Sequence, residues 1–208
     1  LIYRQTPEEF REETHRAKAT LEDITGSEVY GYRAASFSIR RNTGWAIRTL
    51  VDAGFKYDSS IIPVRHDLYG VINAPAHPYI IELPDGRRLV EFPPSTIGFS
   101  GQRIPVGGGG YFRLFPYWFS RRMLTSINQR EGKPFTFYLH PWEIDPEQPR
   151  VKTKSLLSRF RHYNNLHKCE ARLKRLLSNF EFTTKQQVLT RLDTPTVSFV
   201  DLFESEAK

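Results

Sequence analysis

Three residues of this 208-residue chain have side chains that together could catalyse hydrolysis or group transfer: Arg33, Asp58 and His140. Each follows a short run of strand-forming residues, which places it at the carboxyl end of a predicted strand. In α/β proteins these ends share one face, and the loops there carry the chemistry. A cation, an anion and a proton donor or acceptor would then meet in one site. The structural alternatives are a salt bridge between Arg33 and Asp58 and a strand-end hydrogen bond for His140.

The segment around His140 carries the strongest local signal. Residues 135–139 (FTFYL) follow a Gly-Lys-Pro break and predict a short buried strand. Pro141 ends this strand, because proline lacks the N–H that a sheet requires. Trp142 and the acid Glu143 then fall in the next loop.

The first 59 residues alternate between helical and strand patterns. Thr6, followed by Pro7 and Glu9, predicts a capped helix that ends at Gly26. Residues 29–33 and 55–59 predict strands, with a helix between them that stops at Gly54. This rhythm predicts a parallel sheet with crossover helices.

A long insertion rich in Pro and Gly, residues 61–115, interrupts the rhythm. Within it, the Pro84-Asp85-Gly86 turn predicts a hairpin that joins residues 79–83 to 88–92. An excursion of this length predicts a substrate-facing loop, and His66 and Asp67 are candidate substrate contacts. The run of glycines at 107–110 lacks a phosphate-loop context, so it predicts a tight turn beneath Tyr111, which is a further candidate substrate contact.

The last third of the chain is helical and basic. A helix is predicted to begin at Pro116. Between residues 150 and 175 there are nine Lys or Arg and one acid, whereas the whole chain has a net charge of +7. An apolar stripe through this segment, including Cys169, predicts an amphipathic helix with a solvated basic face. Alternatively, the basic face binds an acidic polymer, a membrane surface or nucleic acid. A strand at 180–182, a helix at 186–192 and a tail from residue 193 complete the prediction.

The composition is that of a globular domain, with 39% hydrophobic and 13% aromatic residues. No apolar run approaches the roughly 20 residues that a membrane span needs. The single cysteine excludes an internal disulfide framework and a multi-thiolate zinc site, and the compartment stays unknown. The chain opens at Leu1 in what reads as continuing structure, so we expect an N-terminally incomplete sequence.

Three motifs, in order, resemble those of the NodB-homology polysaccharide deacetylases. Residues 31–39 (GYRAASFSI) are similar to the third motif of that family, residues 57–61 with Pro63 to the fourth, and residues 138–141 (YLHP) to the fifth. Four further stretches, residues 65–70, 108–117, 140–145 and 157–165, resemble a bacterial subgroup of this family. That subgroup has a C-terminal extension and is associated with exopolysaccharide export loci.

The resemblance implies an irregular (β/α) barrel, incomplete here because its first β/α units are missing. Residues 1–145 would be the C-terminal part of the barrel, including the insertion. Residues 146–192 would be a basic helical extension, and residues 193–208 a tail. The resemblance also implies metal-dependent hydrolysis of acetyl groups, N-acetyl above all, on a polysaccharide substrate, with no nucleic acid partner. The oligomeric state is open.

The resemblance implies roles for individual residues. His140 would be the general acid, Arg33 would orient the catalytic base, and Asp58 would support the site through either of them. Phe37, Tyr57 and Trp142 would form apolar walls for sugar rings, and a backbone N–H shortly after Arg33 would bind the oxyanion.

Two family motifs are missing from the sequence, namely the paired aspartates and His-x-x-x-His that supply the base and all protein ligands of a zinc-like divalent metal. His162 and His167, five residues apart, would lie roughly 140° apart around one helix and could not share a metal. We therefore predict no metal ligand in this chain and expect it to be inactive alone. The alternative is a non-catalytic carbohydrate-binding protein that lacks the metal site.

Overall fold

The structure is a computed structural model that describes residues 1–65, 70–150 and 155–205. In these residues the strands are β1 (Gly31–Tyr32), β2 (Tyr57–Asp58), β3 (Tyr79–Glu82), β4 (Arg88–Glu91), β5 (Thr96–Phe99), β6 (Gln102–Pro105) and β7 (Thr196–Ser198). The α-helices are α1 (Pro7–Thr25), α2 (Trp45–Asp52), α3 (Gly109–Leu114), α4 (Tyr117–Thr125), α5 (Leu156–Tyr163), α6 (Leu166–Asn179), α7 (Lys185–Leu189) and α8 (Phe199–Phe203).

The main sheet has five strands in the order β1-β2-β4-β3-β7. The pairs β1–β2, β2–β4 and β3–β7 are parallel, and the β3–β4 hairpin is antiparallel. The predicted α/β class, parallel pairing and hairpin are confirmed. In the part of the chain that the structure describes, β1 and β7 lie at the two edges and the sheet is open.

The capping signal at the start of α1 is also confirmed. The Thr6 hydroxyl accepts a hydrogen bond from the Glu9 N–H, and the Glu9 carboxylate accepts one from the Thr6 N–H. Gly26 ends the helix with a φ of 62°. The buried residues of α1 are Phe10 and Thr14, both in its first half.

The first hydrophobic core lies between the main sheet and α1, α2 and α8. The C-terminal residues, predicted to be a tail, contribute to this core. Strand β7 pairs with β3, and Phe199 and Leu202 of α8 are 2% and 3% exposed. This pairing supplies a partner for the outer edge of β3, which would otherwise leave backbone N–H and C=O groups unpaired.

A second core joins the β5–β6 hairpin to α3, α4 and α6. Its centre includes Phe112, Leu124 and Cys169. The predicted basic helix is two helices, because Asn165 adopts a left-handed conformation with a φ of 52° between α5 and α6. The predicted apolar stripe faces this core through Cys169 and Leu176. None of the helices in the described ranges has the length and apolarity needed to cross a membrane.

Residues 135–139 do not form the predicted strand. Tyr138 alone makes a parallel bridge, to Gly108, and the Thr136 N–H donates to the Ser95 hydroxyl at 2.7 Å. Residues 135–139 therefore contact neighbouring loops at isolated positions, because no strand of the described residues runs alongside them. The predicted strand at 180–182 also pairs with no strand in the described residues.

Candidate functional site

Arg33 and Asp58 lie at the carboxyl ends of neighbouring parallel strands, β1 and β2. The Arg33 guanidinium donates to Ser59, through Nε to the carbonyl oxygen at 3.1 Å and through Nη2 to the hydroxyl at 2.7 Å. Arg33 therefore binds the residue that follows Asp58. Among the described residues, the ion pairs do not include one between Arg33 and Asp58 themselves.

Asp58 is fully buried and fixes the loop that follows Arg33. Its carboxylate accepts hydrogen bonds from the Ser60 N–H at 3.2 Å and from the Ser60 hydroxyl at 2.6 Å. The Ser60 hydroxyl oxygen in turn accepts from the Ala34 N–H at 2.7 Å. Asp58 thus joins the two strand ends through one serine.

A second buried carboxyl group, that of Glu91, lies beside Asp58. The two residues are direct partners in the β2–β4 register, and each carboxyl group shifts the pKa of the other. Burial raises the pKa of both. The Asp58 charge raises the pKa of Glu91 further, while contacts with Glu91 and Ser60 oppose the rise for Asp58. We therefore assign the protonated carboxyl group of this pair to Glu91.

The loop after Arg33 is strained. Ser36 and Phe37 have φ values of 54° and 53°, in the left-handed region that residues with a side chain rarely adopt. Two such residues in succession cost on the order of 1–3 kcal/mol each. The Arg33 guanidinium lies 5.7 Å from the Phe37 ring and 5.2 Å from the Tyr138 ring. The Arg33 guanidinium therefore contacts both the loop, at Phe37, and the neighbouring segment, at Tyr138.

An aromatic groove of about 560 Å³ opens beside this loop. Phe37, Tyr111 and Tyr138 contribute aromatic rings to it. The other lining residues are Leu1, Tyr3, Arg4, Ser36, Ile62, Pro94, Ser95, Pro105 and Gly108. A groove of this size with aromatic walls and few charges can hold a small number of sugar rings.

His140 is exposed, two residues after Tyr138. Its ring stacks on Trp142, with the centroids 4.0 Å apart and the planes 8° from parallel. The His140 and Tyr138 rings are 6.1 Å apart. The Tyr138 ring is thus near both the Arg33 guanidinium and the His140 ring, and no hydrogen bond or ion pair within the described ranges joins His140 to Arg33 or Asp58.

The turn that carries His140 and Trp142 is fixed by Glu143. One Glu143 carboxylate oxygen accepts from the His140 N–H at 3.0 Å. The other accepts from Arg113, through Nε at 3.1 Å and Nη2 at 3.0 Å. Arg113 also donates to the carbonyl oxygens of Arg161, His162 and Asn164. The basic extension is thereby bonded to the His140 turn.

The predicted site residues that the structure describes divide into three groups. Arg33 and Asp58 come together at the sheet end, and Phe37 and Tyr111 line the aromatic groove. The remaining predicted residues that the structure describes lie outside the groove lining: Tyr57, whose ring packs on Gly31 and Phe92, and the stacked pair of His140 and Trp142. His66 and Asp67 lie outside the described residues.

Sequence reasoning missed Glu91, Ser60 and Arg113. Ser60 stands two residues after Asp58, where a side chain can fold back on a carboxylate, so a local signal was present. Glu91 becomes a neighbour of Asp58 through the non-sequential pairing of β2 with β4, and no local pattern predicts the register of that pairing.

Comparisons with known proteins identify one matching family. The family model is described as a domain of unknown function, DUF3473, and it matches residues 59–190. Its range contains Tyr111, His140 and the helical extension and begins directly after Asp58. A comparison with curated proteins finds no significant match. Because the family model covers more than half of the chain, the protein belongs to the DUF3473 family.

Proposed function

We propose that the complete protein removes acetyl groups, N-acetyl above all, from a polysaccharide by hydrolysis. The fold would be an irregular (β/α) barrel of polysaccharide-deacetylase type, in which the present sheet is one part. The observation that carries the proposal is the position of Arg33 and Asp58 on adjoining strand ends, beside an aromatic groove whose Tyr138 wall leads to His140. The three sequence motifs that resemble the deacetylases contain these elements in chain order.

In this proposal the groove binds the glycan. Phe37, Tyr111 and Tyr138 offer flat apolar faces on which pyranose rings can stack, while the surrounding backbone offers polar groups for hydroxyls. The strained conformation of Ser36 and Phe37 supports a functional loop, because strain of this kind persists where the surroundings impose it and is concentrated at binding and catalytic sites.

The proton transfers would involve His140, which would donate to the departing amine. Arg33 would orient the base carboxylate. The oxyanion donor would be the amide of Ala35 or Ser36, because the Ala34 N–H is already bonded to Ser60 and the next two amides donate to backbone carbonyls of the same loop. Asp58 would hold the loop through Ser60 rather than contact the substrate.

The resemblance also implies a divalent, zinc-like metal. The described residues contain no group of three or more His, Cys, Asp or Glu side chains that could hold one. His77 and His162 are bound instead to Glu131 and Gln148. The described residues therefore do not fit such a metal. Its ligands, and the base, would come from the two upstream motifs of a longer chain. Leu1 lines the groove, so any preceding residues would begin at its wall.

The test is acetate release from N-acetylated glucosamine oligomers by protein that carries both upstream motifs. We expect metal-dependent release, with kcat lowered about 100- to 10,000-fold by His140→Ala and KM raised by Phe37→Ala. Glu170→Ala, on the exposed face of α6, is the control that leaves both unchanged. The 208-residue chain alone should release no acetate with zinc supplied.

Metal-dependent turnover by the isolated 208-residue chain would reject the assignment of the base and the metal ligands to upstream motifs. Glycan binding without acetate release by protein that carries both motifs would reject the proposed activity and would favour the alternative of a non-catalytic carbohydrate-binding protein.

A further inference from the structure

The segment that follows α6 is anchored before it reaches α7. Phe180 is 8% exposed, and its ring lies 5.0 Å from that of Phe135; the Phe182 ring lies 5.5 Å from the same ring. The Thr184 hydroxyl then caps α7 by accepting from the Gln187 N–H at 3.2 Å. Lys185, the first residue of α7, is therefore held in place by the chain on both sides.

The Lys185 side chain points to the carboxyl end of the main sheet. Its Nζ lies 5.7 Å from the centre of the Phe92 ring. The Phe92 carbonyl oxygen accepts from the Ser59 hydroxyl at 2.6 Å, and that hydroxyl accepts from Arg33. Two residues thus link the Lys185 ammonium group to the Arg33 guanidinium, although the two cations are far apart in the chain.

Lys185 completes a cluster of charges at this end of the sheet. Arg33 and Lys185 are its cations, and Asp58 and Glu91 are its buried carboxyl groups. Glu91 Oε2 is buried and has no hydrogen-bond partner among the described residues, which disfavours a charged carboxylate at this position. The neighbouring phenols of Tyr32 and Tyr79 stay neutral, since burial and the nearby carboxyl charges raise their pKa.

The charge of Lys185 changes close to neutral pH. Burial lowers its pKa to about 8, and the Arg33 charge acts in the same direction, while Glu91 and Asp58 oppose the shift. A lysine in water has a pKa of about 10.4. Lys185 is therefore still mostly protonated at pH 7 and loses its charge as the pH rises through about 8.

We propose that Lys185 is a positioning residue of the deacetylase site, whose ammonium group balances the Asp58–Glu91 pair and keeps Arg33 directed at Ser59. This inference rests on the proposed function, which makes this end of the sheet the active site. Lys185 lies within residues 59–190, whereas Arg33 lies outside them. The DUF3473 region would thus complete a site that begins in the preceding part of the chain.

The first experiment does not depend on activity. In the 208-residue chain with ¹³C-methylated lysines, the Lys185 resonance is assigned by its loss in Lys185→Arg and followed by NMR against pH. We expect a midpoint at about pH 8, shifted upward by Arg33→Met and downward by Asp58→Asn. If Lys185 of the wild-type chain titrated at the same pH as the other lysines, the proposal would be overturned. This result needs only the wild-type chain and Lys185→Arg, so it stands even if Arg33→Met and Asp58→Asn fail to fold.

The second experiment uses the complete protein and the acetate-release assay. We expect Lys185→Met to lower kcat at least about 10-fold at pH 7 and to remove the limb of the pH profile near pH 8. Lys185→Arg should restore the rate and still lack that limb. Equal kcat values and equal pH profiles for the wild type, Lys185→Met and Lys185→Arg would overturn the proposal. Absence of acetate release from the wild-type protein would instead reject the deacetylase function, and the NMR titration would then decide on Lys185 alone.

Discussion

The Arg113 guanidinium and the Glu143 carboxylate form a buried ion pair 3.0 Å long, with each side chain only 4% exposed. Arg113 also donates to backbone carbonyl oxygens at the end of α5, and Glu143 also accepts from the His140 N–H. The pair therefore joins three parts of the chain, namely α3, the turn at Pro141–Ile144 and the end of α5. The exposed His140–Trp142 stack is carried on a rigid base.

Removal of one partner of this pair is predicted to be costly. Glu143→Ala leaves a buried guanidinium without its counter-charge, and we expect a loss of about 3–5 kcal/mol in the free energy of unfolding. The change in the free energy of unfolding is measured by urea denaturation, monitored by circular dichroism. The matched control is Glu170→Ala, which breaks the exposed Glu170–Lys174 pair of 2.7 Å on α6 and should change stability far less. Equal losses for the two variants would contradict the assigned role.

Gly109 is predicted to be required for the same turn. A Cβ atom on Gly109 would lie 2.1 Å from a Glu143 carboxylate oxygen, and that carboxylate is held by Arg113. We expect Gly109→Ala to cost about 1–3 kcal/mol through displacement of Glu143. At Gly110, in the same helix, a Cβ atom would meet nothing within 4 Å. Gly110→Ala should therefore be neutral or stabilising by up to about 1 kcal/mol.

The carboxyl pair at the sheet end predicts a specific pH dependence. Burial and the Asp58 charge raise the pKa of Glu91 in the folded chain, whereas in the unfolded chain this carboxyl group titrates like any exposed glutamate. Above the pKa of an exposed glutamate, the folded chain therefore binds more protons than the unfolded chain. The contribution of Glu91 to stability is full at low pH and is lost as the pH rises, with a slope of up to about 1.4 kcal/mol per pH unit.

Glu91→Gln tests this dependence, because the amide has nearly the same size as the carboxyl group but does not titrate. Denaturation of both proteins between pH 4 and 8 should show that the wild-type free energy of unfolding falls with pH relative to that of the variant. Glu12→Gln, on the exposed face of α1, should follow the wild type. A constant difference between wild type and Glu91→Gln across this range would contradict the raised pKa of Glu91 in the folded chain.

Local signals in the sequence were sufficient for the elements that local interactions determine. The capping box at Thr6 and the turn at residues 84–86 each involve neighbours within a few residues, and both are found as predicted. Arg33 and Asp58 were placed at adjacent strand ends because sequential strands with a crossover helix commonly pair in parallel.

Non-local pairing accounts for most of what the sequence did not reveal. Strand β7 is three residues long and carries two hydroxyl side chains, so its identity as a strand depends on the exposed edge of β3. Residues 135–139 have strand-forming side chains, yet the chain beside them is the loop at Gly107, which offers one bridge. Lys185 has no local signal that distinguishes it from other lysines, because its surroundings come from the ends of β1, β2 and β4.

Cys169 provides a probe for the second core. It is the only cysteine of the chain and is fully buried, and burial raises the pKa of its thiol to about 11. Relative to a free thiol with a pKa of 9.0, the thiolate fraction at pH 8 is lower by about a hundredfold, and access to the sulfur is closed as well. We expect iodoacetamide to label the native chain at pH 8 at least about a hundredfold more slowly than the chain in about 6 M guanidinium.

The same label distinguishes local opening from global unfolding. Gly109→Ala loosens the turn on which α6 packs, so it should accelerate Cys169 labelling in proportion to its loss of stability if opening of the second core is global. Gly110→Ala should leave the rate unchanged. Acceleration beyond that expected from the loss of stability would show that the second core opens separately from the main sheet. Native labelling as fast as in guanidinium would contradict the burial of Cys169 and the packing of α6 against α3 and α4.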